Sequence, residues 1–125
     1  MASVTRKYAG IERELVRALT HACETAKGEL TGFQWLTHQV DYTLFPQSLM
    51  VTWVFDSDAH MAAASKARLV ELTLAAFADI GISVSSGAAH VRCDSQQRCD
   101  AAHGGDWAAR LTQHQPSAGR HGKRH

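Results

Sequence analysis

The sequence predicts a two-layer α+β domain in which helices cover one face of a three-stranded sheet. Two observations predict this fold class. Of the 125 residues, 45% are hydrophobic and 20% are charged, which is the balance of an ordinary globular domain. Apolar residues at helical spacing alternate along the chain with short runs rich in aromatic and β-branched residues. The resulting order is helix, strand, strand, helix, strand and short helix, all within a single domain at residues 1–111.

Residues 8–28 are predicted to form the first helix. Their apolar residues recur every three or four positions and form one stripe, at Ile11, Leu15, Leu19, Ala22, Cys23 and Ala26. Charged residues fall mostly outside this stripe, and Gly28 is a typical C-terminal stop. The segment is therefore an amphipathic helix with one side available for packing.

Two strands are predicted next, at residues 33–42 and 48–55, where aromatic and β-branched residues are frequent. Pro46 lies between them and requires a loop, because proline cannot donate to a strand ladder. The two strands are close enough in the chain to form a hairpin. We expect the register that gathers one apolar face, with the pairs Tyr42–Leu49, Val40–Val51, His38–Trp53 and Leu36–Phe55.

A long second helix is predicted from Asp56, Ser57 and Asp58 to about Ile80. The segment is rich in alanine, which favours helix, and Gly81 ends it. Its buried stripe is expected at Leu69, Leu72, Ala76, Phe77 and Ile80.

The last elements of the domain follow this helix. Residues 88–93 read as a third strand with Ala89, Val91 and Cys93 pointing inward. Ser95 is expected to cap a short helix that runs through His103, and two glycines stop it. The segment from Trp107 to Leu111 is a final apolar patch that folds back on the domain.

The charge of the chain changes sign near the C-terminus. Residues 1–111 contain ten Lys and Arg against twelve Asp and Glu, a net charge of −2, whereas residues 112–125 contain Arg120, Lys123 and Arg124 and no acid, a net charge of +3. Apolar side chains are almost absent from this segment, so it cannot offset its ordering entropy by burial. It is predicted to be a disordered, basic, His-rich tail.

One stretch resembles a known family. The run GFQWLTHQVDYTLFPQSLMVTWVFDSD, together with CDAAHGGDWAARL, is similar to small bacterial proteins named Fis family transcriptional regulators, over residues 10–111. The run Gly32–His38 is its most specific part. The resemblance implies DNA binding and transcriptional control. This sequence departs from true Fis proteins because it lacks their basic C-terminal helix-turn-helix, so no binding residues are carried over.

The most informative predicted surface is the sheet face turned away from the core. Strand alternation places on it Phe33, Trp35, Thr37, Gln39, Met50, Thr52, Val54, His90 and Arg92. An exposed aromatic and apolar face of this kind marks a protein interface or, with a flanking Arg, a platform for stacking bases. The alternative is that Trp107 and Leu111 cover it. The candidate binding residues are Trp35, Thr37, Met50, Val54 and Arg92, with Arg120, Lys123 and Arg124 of the tail.

Two clusters have metal-binding residue types, and neither is interpreted as a metal site. Asp56, Asp58 and His60 are close in sequence, but the first residues of a helix often include carboxylates that cap it. His90, Cys93, Cys99 and His103 are four candidate zinc ligands whose spacing matches no zinc knuckle. We therefore expect no metal and no cofactor.

His38 is the one candidate general base. It is expected on the apolar face opposite Trp53, hydrogen-bonded to a backbone carbonyl, with no Ser or Cys nucleophile beside it. No P-loop, Rossmann turn, HExxH or GxSxG motif is present. The protein is therefore predicted not to be an enzyme.

Composition narrows the function classes that remain. The net charge of +1 excludes a polycation and gives no overall attraction to nucleic acid. No apolar run is long enough to span a membrane, the N-terminus has no secretory signal, and three Cys do not form a disulfide framework. We expect a cytoplasmic regulatory protein, either a transcriptional regulator or nucleic-acid-associated factor, or a protein-interaction module that binds a partner or itself through the sheet face, with no membrane partner.

Overall fold

The helices and strands follow the predicted order. The structure, a computed structural model, describes residues 2–113, with side chains described from Tyr8 onward. The helices are α1 (Ala2–Glu29), α2 (Asp58–Ala63), α3 (Lys66–Asp79), α4 (Gln96–His103) and α5 (Trp107–Gln113), and the strands are β1 (Phe33–Gln39), β2 (Met50–Phe55) and β3 (Val91–Ser95). Single turns of 3-10 helix lie at Tyr42–Leu44 and Gly87–His90. The predicted α+β class is confirmed.

The sheet is mixed. Its strand order is β1-β2-β3, so β2 is central; β1 is antiparallel to it and β3 is parallel to it. The helices α1 and α3 pack on one face and form the core with Trp53 at its centre, where the indole is fully buried and donates from Nε1 to Thr73 Oγ1 at 3.1 Å. Thr73 in turn donates to the carbonyl of Leu69. The apolar ring of Trp53 is thus buried in the core, and its N–H has a hydrogen-bond acceptor.

The predicted register of β1 against β2 is wrong by two residues. Leu36 lies opposite Trp53, and His38 lies opposite Val51. Because side chains alternate with a period of two, the shift leaves the same residues on the core face.

A β-bulge adds a second correction at the start of β1. The register shifts between Phe33 and Trp35, so Phe33 lies opposite Phe55 and its ring packs 5.4 Å from that of Trp53. Phe33 therefore belongs to the core, although alternation placed it on the opposite face. A bulge has this effect because one extra residue reverses the side to which the preceding side chain points.

The long second helix is interrupted. Ala64 is extended (φ −73°, ψ 142°), and the Ser65 hydroxyl accepts a hydrogen bond from the backbone N–H of Arg68, which begins α3. Alanine content alone predicts one continuous helix; the Ser65 cap is the signal that the prediction overlooked, because Ser prefers to cap a helix rather than extend one.

The third strand begins later than predicted. Residues Gly87–His90 form a 3-10 turn in which Ala89 is exposed, whereas Val91 and Cys93 face the core as expected. His90 is not on the outer sheet face. It is buried, with Nδ1 placed 2.6 Å from the carbonyl oxygen of Leu49. The turn rotates the chain before the strand starts, so strand alternation does not apply at His90.

The C-terminal segment turns back onto the domain. Ser95 caps α4, and Gly104 ends it in the left-handed conformation (φ 60°) that favours glycine. Helix α5 then runs to Gln113, two residues beyond the predicted end of the domain. The rest of the predicted tail, 114–125, lies outside the described residues. Between Ala2 and Gln113, no helix is both long and apolar enough to cross a membrane.

Candidate interaction surfaces

The outer face of the sheet is partly covered by α5. The ring of Trp107 packs edge-to-face on Trp35, with centroids 4.9 Å apart, and its Nε1 donates to Gln96 Oε1 at 3.0 Å. The side-chain amide of Gln39 donates to the carbonyl of Leu111 at 2.9 Å. The alternative in which Trp107 and Leu111 fold over this face is therefore the arrangement in the structure.

An enclosed ion pair fastens α5 to the sheet. The guanidinium of Arg110 donates from Nε to Asp94 Oδ2 at 2.6 Å and from Nη2 to Oδ1 at 2.9 Å. The two side chains are only 12% and 4% exposed. Hydrogen bonding to Asp94 raises the pKa of Arg110 above its ordinary value. A two-point contact of this kind fixes orientation as well as position.

The binding residues predicted from the sequence differ in how much of their surface is exposed. Trp35, Thr37, Met50 and Arg92 are half-buried on the outer face. Val54 has no exposed surface, because its cross-strand neighbours Trp35 and Asp94 both contact α5. The prediction that Val54 faces a partner is therefore corrected. Residues Arg120, Lys123 and Arg124 lie outside the described part of the chain.

The free edge of β1 was not singled out from the sequence. Within residues 2–113, β1 pairs with β2 on one side only. Its seven residues, FQWLTHQ, contain no Asp, Glu, Lys or Arg. Natural edge strands are usually protected by charges, proline, bulges or a covering segment. In β1 the bulge protects only the first residues and leaves Trp35–Gln39 regular.

A groove runs between this edge and α1. It has a volume of about 370 Å³, and its lining includes Val16 and Cys23 of α1 and Leu36, Thr37 and His38 of β1. Val16 is 48% exposed, which is high for a large aliphatic side chain in this fold. The remaining lining residues of α1 are Leu19, Thr20, Glu24 and Lys27, so the groove has both apolar and polar walls. An unprotected strand edge and a groove of mixed polarity thus lie side by side.

A polar cluster stands beside the groove. His38 Nε2 is 3.1 Å from Glu12 Oε2, and the Tyr42 hydroxyl donates to Glu12 Oε1. Tyr8 stacks on Tyr42 with ring centroids 4.8 Å apart. The prediction that His38 binds a backbone carbonyl is therefore wrong. Its partner is the carboxylate of Glu12 in α1, which the sequence pattern did not indicate because the two residues are far apart in the chain.

Burial and hydrogen bonding set the ionisation of this cluster. Partial burial acts to raise the pKa of Glu12, but hydrogen bonds from Tyr42 and His38 outweigh it and lower the pKa below its ordinary value. Burial and the bond to Glu12 raise the pKa of Tyr42, so it remains a protonated donor. The cluster joins α1 to the end of β1, through His38, and to the first residue of the following 3-10 turn, Tyr42.

The Asp56–His60 segment is a helix start. The Ser57 hydroxyl accepts from the backbone N–H of His60, and Asp56 Oδ1 lies 2.7 Å from His60 Nδ1. Asp58 is held instead by the Ser95 hydroxyl, at 2.6 Å, and by Arg98, at 3.0 Å. These side chains serve helix capping and the contact between α2 and α4.

The four candidate zinc ligands are dispersed. His90 is bound to a backbone carbonyl, Cys93 packs against the core, Cys99 is buried in α4, and His103 lies 3.3 Å from Arg110 Nη1. In the part of the chain that the structure describes, no group of three or more His, Cys, Asp or Glu is arranged to hold a metal ion.

Comparison with known proteins gives no relative. No protein-family model matches the chain, and neither the curated proteins nor the solved structures include a significant match to it.

Proposed function

We propose that this protein is a non-enzymatic regulatory module that binds another polypeptide chain along the free edge of β1. The observation that carries the proposal is the uncharged edge strand, which lies next to a groove with an apolar part at Val16, Leu19 and Leu36. Three free cysteines fit action in the reducing cytoplasm.

A partner that adds a strand to β1 would use both the uncharged edge and the neighbouring groove. Backbone groups along Trp35–Gln39 would pair with an extended segment of the partner chain, as in other β-augmentation complexes. Alternate side chains of that segment would point to the helix side of the sheet and enter the groove beside Val16 and Leu36. The main-chain bonds would supply affinity, and the apolar part of the groove would favour apolar side chains.

The sheet face is a weaker candidate surface than the edge. Trp107 packs on Trp35, and Val54 is fully buried, so the apolar part of the face is already occupied within the chain. Base stacking would need an exposed aromatic platform, and Trp35 is half-buried.

The proposal is tested with random ten-residue peptides displayed on phage and selected against the full chain. Selected peptides are expected to protect the β1 backbone amides from hydrogen exchange. They are also expected to bind Thr37→Lys at least about tenfold more weakly, because an edge lysine opposes strand addition. Ala101→Lys is the matched control, since Ala101 is exposed on α4 and the charge change is the same. Protection elsewhere, or no selected peptide when the chain is kept dilute enough to be monomeric, contradicts the proposal.

A second candidate is a nucleic-acid-associated regulator, as the resemblance to Fis-named proteins implies. The observation that favours it is the segregation of charge, with +3 in residues 112–125 and −2 in the rest. Gel shifts with DNA and RNA over a salt series test it, because phosphate contacts weaken steeply as salt rises. Binding that is lost on removal of residues 114–125 supports this candidate, and the absence of any shift at low salt contradicts it.

A further inference from the structure

We infer that the chain bound along β1 is a second copy of this protein, with the two β1 strands paired antiparallel about a two-fold axis at Thr37. This inference rests on the proposed function, and names the partner for the same surface. The product is a closed dimer with a continuous six-stranded sheet. Because the contact is isologous, β1 of each copy takes part in it, and neither copy keeps a free β1 edge.

The bulge excludes an axis near the start of β1, and the centre of the remaining regular stretch gives the position of the axis. Regular pairing geometry extends over Trp35–Gln39, and the residue at the centre of that stretch is Thr37. An axis there places Thr37 opposite Thr37 of the partner copy, Leu36 opposite His38, and Trp35 opposite Gln39. Any axis nearer Phe33 would place the bulge inside the new ladder and disrupt its hydrogen bonds.

The absence of charged side chains makes β1 suitable for pairing with the β1 strand of a second copy. In a symmetric antiparallel pair, a charged residue at the axis meets its own copy, and like charges directly opposite are destabilising. No Asp, Glu, Lys or Arg occurs in β1, and a Thr–Thr pair at the axis is favourable. The only titratable residue of the strand, His38, faces Glu12 on the helix side and is adjacent to the Tyr42 hydroxyl bound to the same carboxylate.

The groove adds apolar surface to the contact. Antiparallel pairing keeps alternation intact, so Leu36 of each copy stays on the helix side of the joined sheet. The two grooves then meet across the axis, and the exposed Val16 of each α1 lies at the seam. Each groove contains one charge of each sign, Glu24 and Lys27, so these residues bring no net charge to the contact.

The first experiment is sedimentation equilibrium of the full chain over a range of concentrations. Wild type is expected to form a dimer. Thr37→Lys places two lysines face to face at the axis, and is expected to weaken dimerisation by at least about tenfold, while Ala101→Lys leaves it unchanged. A wild type that stays monomeric at all concentrations, or a dimer indifferent to Thr37→Lys, overturns the inference.

The second experiment keeps the inference testable if Thr37→Lys does not fold. In a Cys23→Ser background, Thr37→Cys is expected to form a disulfide-linked dimer on mild oxidation, because the two side chains lie directly opposite. Gln34→Cys is the control: this residue is exposed on the same strand but far from the axis. Equal crosslinking of both variants, or none of Thr37→Cys, overturns the inference. If the wild type is monomeric while selected peptides still bind β1, the inference fails and the proposed function stands.

Discussion

Arg110 and Asp94 join the C-terminal helix to the last strand through two hydrogen bonds that water scarcely reaches. Asp94 lies on the outer face of β3, next to Val54 of the central strand. The ion pair therefore positions α5, and α5 brings Trp107 onto Trp35. The sequence left open whether the outer sheet face is exposed or covered by Trp107 and Leu111, and this contact is the reason that α5 partly covers it.

Arg110→Ala should be strongly destabilising. The change leaves the Asp94 carboxylate buried without its countercharge, which costs about 3–5 kcal/mol in comparable sites. Urea unfolding followed by circular dichroism measures the effect. Arg98→Ala provides the comparison, because the Arg98–Asp58 pair is about half exposed and should contribute less than about 1 kcal/mol. Equal losses for the two variants would show that Asp94 is not enclosed.

Trp35 and Trp107 should be energetically coupled. An edge-to-face pair contributes about 0.5–1.5 kcal/mol beyond the area it buries. A double-mutant cycle with Trp35→Ala and Trp107→Ala measures this coupling in the free energy of unfolding, independently of each variant's own loss of packing. A coupling of zero would mean that α5 does not rest on β1 in solution.

The stability contributed by Glu12 should depend on pH in a definite direction. Its pKa is lowered in the folded state from the ordinary value of 4.5, so folding favours the ionised carboxylate. The contribution is therefore fully present above that ordinary value, and is lost as pH falls through the lower folded-state pKa. Glu12→Gln should destabilise the protein at pH 7, and much less at the acid end of the range. Chemical denaturation of both proteins at several pH values checks this; a penalty that grows on acidification would refute it.

Gly32→Ala should destabilise more than Gly81→Ala. Both glycines have positive φ, near 80°, which costs about 1–2 kcal/mol for a residue with a side chain. Only at Gly32 would the added Cβ also collide, since it would lie 2.3 Å from His60 Nδ1, whereas nothing lies within 4 Å at Gly81. The difference between the two variants in thermal unfolding gives the destabilisation that is due to the steric clash. If His60→Ala does not reduce the excess loss at Gly32, the close approach is not its cause.

Local patterns in the sequence were enough to predict the order of the strands and the core-facing residues of α1 and β2. The stripe through Leu15, Leu19 and Ala22 specifies an amphipathic α1, and the alternation through Val51, Trp53 and Phe55 specifies the inner face of β2. Both depend on local periodicity, which backbone geometry imposes without reference to the rest of the chain. For the same reason, the α+β order could be predicted although the exact register could not: a shift of two residues preserves the alternating pattern.

Which surfaces remain available depends on contacts that form only in the folded chain. The bulge that buries Phe33, the carboxylate partner of His38 and the ion pair between Arg110 and Asp94 all depend on contacts between residues distant in the chain. Periodicity cannot encode such contacts, because it describes neighbours a few positions apart. The candidate site is therefore not the sheet face around Val54, which α5 covers. It is the strand edge around Thr37, which the described chain leaves unpaired.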